Sequence, residues 1–379
     1  MPTVTDALGG RLTDALGAQR RRVREFVDET EPPALAIISA MTLSLLATLV
    51  GFLAVSDLTI APFVVFLTAA GIGWFRYQEE TAYTIALMMT VSTILILGLI
   101  IVFIFRESVP VIRYESATAF GITVPGLRMF IQPNWDAVSP PIRYSMVPMI
   151  HGTVMVTLIA SAVAAPLGVS AALFLSEIAP ATVREVVKPG VEILAGIPSI
   201  VYGFIGFTII NPYIGNLFSI NPGALFAIGI VIGFMALPTV VSVAEDALSA
   251  VPDSMKDGSV AMGATEWQTM KSVSIPTAFS GISAAVLLGI GRAIGETMAA
   301  TVMISHSRRL PEPGPSNFFD STETLTTFIA SSYGHVTPGE IFWSTLFAAG
   351  VLLLMIVTGL GVVSQLIQQR MQRKLRGGQ

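Results

Sequence analysis

No cysteine occurs anywhere in the 379 residues. Its absence excludes disulfide frameworks, thiolate zinc sites, iron–sulfur clusters and cysteine nucleophiles together. Lysine is nearly as scarce. None of Lys188, Lys256, Lys271 and Lys374 follows a glycine, so no phosphate-cradling G-x-x-x-x-G-K-[ST] loop exists. The three histidines, His151, His306 and His335, lack H-E-x-x-H spacing, which leaves metal-dependent hydrolysis unsupported. Charge is thin throughout, at 12% of residues, against roughly 25% in a soluble domain. A net charge of −4 gives no reason to expect a nucleic-acid partner. No cleavable signal peptide is expected, because the first apolar run begins near Pro33, behind a stretch too long and too acidic for an n-region.

What is abundant is apolar sequence: 53% of residues are hydrophobic and the mean hydropathy is +0.73. Each crossing of a ~30 Å hydrocarbon core needs about 20 mainly apolar residues. Eight such stretches stand out, at approximately 34–55, 58–75, 82–105, 149–175, 190–210, 223–243, 277–304 and 340–367. The fifth is interrupted by Gly196-Ile197-Pro198. Within hydrocarbon each must be a helix, which alone satisfies its backbone groups inside one segment. With a cytosolic N-terminus, 14 of the 21 Lys and Arg residues fall on the inside, six outside, and Arg292 lies within a span. The positive-inside rule therefore predicts a multi-pass cell-membrane protein with both termini cytosolic. The tail before the first span repeats Thr-Asp-Ala-Leu-Gly, at 5–9 and 13–17, and reads as a solvated or surface-lying amphipathic segment.

This orientation puts the loop 244–276 in the cytosol. Pro252 and Asp253 are helix-start signals there, and Gly263 can end a short helix. Small residues at Gly258, Ser259 and Ala261 would let a partner's backbone approach. Asp257-Gly258-Ser259, then Gly263 three residues on, then Val273-x-Ile275-Pro276 after nine more, follow a regular spacing. That spacing resembles the E-A-A, three residues, G, nine residues, I-x-L-P signature of ABC importer permeases, with Asp for Glu and Gly-Ser for Ala-Ala. In that family the loop forms a coupling helix seated in a groove of the ATPase subunit.

The seventh stretch contains Gly291-Arg292-Ala293-Ile294-Gly295-Glu296-Thr297-Met298-Ala299. An arginine at the centre of a lipid-facing helix costs about 2.5–3.5 kcal/mol on insertion scales. Arg292 and Glu296 are four residues apart and so able to pair on one face, while Gly291 and Gly295 have the small-xxx-small spacing of close helix packing. The pair reads either as a structural lock or as an anion site. In the second reading the planar fork of Arg292 meets a tetrahedral oxyanion and Glu296 acts as counter-ion so that the anion can leave. In the fifth stretch Pro198 frees carbonyls beside Ser199 and Tyr202 that could line a cavity, or merely kinks the helix. His151, Arg128 and Arg143 read as interfacial or loop residues without a specific role.

The run GRAIGETMA resembles the motif of phosphate ABC transporter permeases, and Ala195–Gly203, AGIPSIVYG, is similar to their second motif. Met-Ala after Gly-Glu-Thr looks like the PstC type. The resemblance runs from about Ala82 to the C-terminus. It implies an all-α integral membrane protein of about eight transmembrane helices, the last six forming a type I ABC importer permease core. The layout is then a cytosolic tail (1–33), an additional transmembrane hairpin (34–81), the permease domain (82–367) and a cytosolic tail (368–379). The implied substrate path holds Arg292, Glu296, Thr297, Ser199 and Tyr202; the coupling loop holds Asp257, Gly258, Ser259, Gly263, Val273, Ile275 and Pro276. Implied partners are membrane lipid, a homologous second permease subunit, two ATPase subunits that bind the ATP and Mg²⁺ this chain does not, and an extracytoplasmic phosphate-binding protein. The chain itself is then a transport subunit and not an enzyme. Two rival readings are a permease for sulfate, molybdate or tungstate, and an ion-coupled secondary transporter, which would need no coupling motif.

Overall fold

The computed structural model describes residues 30–54, 57–119, 122–219 and 222–376. The expected N-terminal repeat, and most of the tail that carries it, lie outside these residues, as do the last three positions. Eight helices are long and apolar enough to cross a membrane: α1 (Pro32–Leu53), α2 (Asp57–Arg76), α3 (Gln78–Tyr114), α4 (Val147–Ile178), α5 (Ser199–Phe218), α6 (Leu225–Ser249), α7 (Glu266–Gly295) and α8 (Ile341–Leu366). The last continues as helix to Arg376. Apart from a hairpin of two three-residue strands, Ala117–Ala119 with Ile122–Val124, the described elements are helical.

Three spans differ from the expected limits. α3 does not stop near Phe105 but continues to Tyr114. Its 37 residues, at 1.5 Å each, are far longer than the apolar slab, and the helix runs on through Pro110. The fifth stretch splits: Ala181–Gly196 is a separate helix, and the span begins only at Ser199. The seventh ends at Gly295, and a short helix, Met298–Met303, follows.

The chain forms two units, one ending at Val102 and one beginning at Phe103. In the first, α1 and α2 form a tight pair: a methyl on Gly51 would stand 3.0 Å from the Thr59 hydroxyl, and one on Gly73 would stand 3.2 Å from Ile37. In the second, α6 is the most enclosed span. Its glycines allow α4 to approach, since a methyl on Gly229 would fall 2.6 Å from Ile159 and one on Gly233 would fall 2.8 Å from Val163. The seam continues through Gly168 of α4 against Val240 and through buried Ala160, Ala164 and Ala236. On its other side α6 receives α7 through Gly281 against Ala247, Ala285, and Gly289 against Val240. Small residues take this role because lipid tails are as apolar as leucine, so close contact rather than water exclusion holds membrane helices together.

A folded cap joins the segments that follow α3 and α7. Glu323, wholly enclosed, accepts from Arg308 Nε at 2.8 Å and from Ser331 Oγ at 2.7 Å, and meets His306 Nδ1 at 2.9 Å. The Arg308 guanidinium packs against the rings of Trp135, Phe328 and Phe342. A carboxylate can sit there because charged and hydroxyl donors meet both its oxygens.

The seam gives a direct test within one helix. Gly289→Ala must force α6 and α7 apart and is expected to lose about 1–3 kcal/mol of stability, as overpacking does. At Gly291 a methyl meets nothing within 4 Å, so Gly291→Ala should leave the thermal unfolding midpoint in detergent unchanged.

Candidate functional site: substrate path and coupling loop

Arg292 lies one turn before the end of α7 and is half-buried. Its Nη1 donates to the Thr239 hydroxyl of α6 at 2.9 Å. The expected ion pair with Glu296 is not formed, and among the described residues neither joins a salt bridge. The reason is local. Glu296 has left the helix, with φ −69° and ψ 123°, so the four-residue spacing no longer places it on Arg292's face. It turns forward instead, and its Oε1 accepts the Ala299 N–H at 2.9 Å at the start of the next helix. Its carbonyl accepts from the Thr326 hydroxyl at 2.9 Å. Thr297, also half-buried, donates to the Gly295 carbonyl at 3.2 Å.

The guanidinium opens on a cleft of about 590 Å³ between α6, α7 and α8. Thr239, Arg292 and Ser364 are its polar lining; Leu287, Leu288, Val357 and Leu360 supply most of the rest. An arginine carries five N–H donors, and among the described residues Arg292 uses one hydrogen bond. A cation in a mostly apolar cleft with donors to spare is arranged to receive an anion. Gly291 and Gly295 make no close helix contact in this chain, and a methyl at either would meet nothing within 4 Å. The close contacts of α7 with α6 are instead at Gly281 and Gly289.

The AGIPSIVYG segment meets the GRAIGETMA segment in space. Ile197 and Pro198 are extended, as a residue before proline prefers, and the proline then starts α5. The Tyr202 hydroxyl donates to the Leu194 carbonyl at 2.9 Å, filling the acceptor left by the break. Ser199, the first residue of α5, is half-buried. One residue beyond Tyr202, a methyl on Gly203 would lie 2.7 Å from the Ala299 Cα, so the backbone of α5 rests directly on the helix after Glu296.

In the α6–α7 loop the helix runs Asp253–Ala261, starting a turn earlier than Asp257. Its inward side is polar. Lys256 and Ser259, three residues apart, point into the protein, whereas Met255, Gly258 and Met262 point out. Ser259, expected on the outer surface, is buried and accepts from the Thr269 hydroxyl at 3.0 Å. Asp257 and Gly258 are exposed, and so are Val260 and Trp267. Met262 is 86% exposed, which marks this apolar face as a contact surface. Gly263 has φ +90°, a conformation side chains resist. It ends the helix, with the Ala264 N–H on the Ser259 carbonyl at 3.2 Å, and Thr265 and Gln268 cap the next turn reciprocally. Val273, Ile275 and Pro276 are half-buried where α7 enters its regular stretch.

One ion pair fixes this loop to α4 and a second ties the Ala181–Gly196 helix to α6, and neither is signalled by a motif. Lys256 Nζ lies 2.8 Å from Glu177 Oε1, and Lys188 Nζ lies 2.6 Å from Glu245 Oε2. The hydrogen bond to Glu245 holds the Lys188 ammonium above the ordinary lysine range. Sequence offers one signal for Glu177, a lone carboxylate closing an otherwise apolar run, and one for Thr239, a hydroxyl next to Pro238 inside a span.

Comparison with known proteins bears on the family and the fold. Residues 164–377 match the family described as binding-protein-dependent transport system inner membrane component. The probable ABC transporter permease protein YqgH of Bacillus subtilis is 42% identical over 222 residues, 58% of this chain and 71% of its own length. The phosphate transport system permease protein PstC of Haemophilus influenzae is 30% identical over 318 residues, 79% of this chain and 97% of its own length. A crystal structure of a bacterial alginate ABC transporter with its pentasaccharide-bound periplasmic protein shares the fold, with a TM-score of 0.50 at 14% identity, over 80% of this chain and 97% of its own. The last six spans thus form a type I ABC importer permease core, and the chain belongs to the family of binding-protein-dependent transport system inner membrane components.

Proposed function

We propose that this chain is the PstC-type permease subunit of an ATP-driven phosphate importer. The observation that carries the reading is Arg292, a guanidinium held by Thr239 on a mostly apolar cleft inside a membrane span. The similarity to a phosphate transport permease over 97% of that relative's length supports the substrate. The chain is a transport subunit, and ATP with its Mg²⁺ binds on a separate ATPase. Both termini and the Asp253–Ala261 loop face the cytosol, an orientation that the distribution of Lys and Arg favours.

The geometry suggests the following sequence of events. A delivery protein releases the anion at the outer cap. A pair of ATPase subunits closes and moves the loop helix by its outward Met255, Val260 and Met262 face. The spans shift, a homologous second permease completes the passage, and the anion crosses past Arg292. Thr239 keeps the guanidinium aimed into the cleft, and its hydroxyl proton, which has no acceptor among the described residues, is a further donor to an oxyanion. Glu296 is not the counter-ion at rest, because its carboxylate caps Met298–Met303. It is positioned to take that role only if the break at 296–297 straightens during transport.

The reading is tested by uptake of labelled phosphate into liposomes holding the purified complex. Unlabelled phosphate should compete and sulfate, molybdate or tungstate should not; the reverse order would sink the phosphate assignment. Arg292→Gln should abolish uptake while the subunits still co-purify, and loss of assembly would instead favour a structural role. Thr239→Val keeps shape and removes the hydroxyl, and is expected to raise the apparent KM for phosphate about ten-fold, the scale of one charge-assisted hydrogen bond, with Thr239→Ser restoring it.

Gly263→Arg should block docking and uncouple hydrolysis from uptake. Because φ +90° alone strains any side chain there, Gly263→Ala is the needed comparison. If both variants behave alike, backbone strain rather than bulk is responsible.

A further inference from the structure

Two spans whose ends meet the coupling loop, α4 and α7, each widen by one residue at that end. These π-turns are Phe174–Ile178 and Met270–Ser274. Such turns leave carbonyls unpaired and mark places where a helix can shift its register. Arg184 takes two of the freed groups, donating from Nε to the Leu175 carbonyl and from Nη2 to the Ser176 carbonyl, both at 2.8 Å.

One side chain links the two turns to the loop helix. Glu177, in the first π-turn, accepts from Lys256 at Oε1 at 2.8 Å and from the Ser274 hydroxyl at Oε2 at 3.1 Å. Ser176 Oγ approaches Oε1 at 3.3 Å. Lys256 belongs to Asp253–Ala261, and Ser274 closes the second π-turn, at the foot of the helix that carries Arg292. Ser274 is fully buried, and the side chains of Glu177 and Lys256 are 11% and 20% exposed. The loop helix is thus pinned on its inner face at Lys256 and at Ser259, while its outer apolar face is free.

We propose that Glu177 is a positioning residue for energy coupling: it passes displacement of the loop helix to α4 and α7 together, through two turns built to slip. This rests on reading Asp253–Ala261 as the helix that docks an ATPase. A bond of one carboxylate to both flexible feet makes them move as a pair. Without it the loop helix remains tied to α7 through Ser259 and Thr269 but loses its hold on α4.

The test uses the complete complex in liposomes, measuring phosphate taken up per ATP hydrolysed. Glu177→Gln keeps an acceptor for Ser274 and removes the charge that holds Lys256. It should leave hydrolysis within about two-fold of wild type and lower uptake per ATP about ten-fold, the scale of a coupling free energy between sites. Exchange of the charges in the double variant Glu177→Lys, Lys256→Glu should recover part of the ratio. An unchanged ratio in Glu177→Gln, or hydrolysis and uptake falling in parallel, would overturn the proposal. Should Glu177→Gln not assemble, Glu177→Asp, whose shorter carboxylate cannot reach both partners, decides by the same ratio; if it too fails to assemble, the contact serves folding and the proposal falls. A wild-type complex without ATP-dependent uptake would sink the functional reading itself, which separates that failure from this one.

Discussion

Hydrocarbon offers no hydrogen bonds, and that one constraint shapes the breaks in this chain's spans. A backbone group released inside the slab must find a partner within the protein or remain at a cost of several kcal/mol. Three interruptions here are resolved in that way. The break before α5 leaves the Leu194 carbonyl, which the Tyr202 phenol fills. The break after α7 leaves the Glu296 carbonyl and the Ala299 N–H, filled by the Thr326 hydroxyl and the Glu296 carboxylate. The π-turn at the foot of α4 leaves the carbonyls that Arg184 holds. Polar side chains in this chain are therefore largely explained by backbone geometry, and Arg292 stands out because it is not.

That contrast gives the candidate site its meaning. Glu296 and Tyr202, both expected to face substrate, spend their polar groups on the backbone. Arg292 spends one donor on Thr239 and leaves the others toward a cleft. A charge that neither caps a helix nor pairs with a carboxylate, yet stays within a span, is costly to retain unless it serves passage of an ion. Along α7, Gly281, Ala285 and Gly289 press on α6, and Arg292, one turn beyond Gly289, reaches Thr239 of α6 at the edge of the cleft.

What the residues disclosed in advance follows the same division. The eight crossings were legible because apolar length is a composition property, and the loop helix was legible because Pro252, Asp253 and Gly263 are local punctuation. The hidden features depend on contact between distant segments. Spacing allowed Arg292 to pair with Glu296, but a helix ending one residue before the glutamate decided otherwise. Small size suggested Ser259 faced a partner, but the Thr269 hydroxyl claims it. The GxxxG-like spacing of Gly291 and Gly295 gave no packing here, while the true seam used Gly281 and Gly289, eight residues apart and interleaved with Ala285. Spacing along a helix names a face; only the neighbour says what that face meets.

The seam and the turns together suggest how one chain can be both rigid and mobile. Between α4, α6 and α7 the glycine and alanine contacts are too close to slide without steric conflict, so the middle of the bundle moves as a block. Freedom remains at the ends of α4 and α7, where their π-turns and the break at 296–297 interrupt the ladder. Force entering at the loop helix meets those soft points first, and beyond them a stiff lever leading to Arg292. A stiff middle with compliant ends converts a small shift at the membrane face into a rotation of the whole block, rather than dissipating it in side-chain repacking.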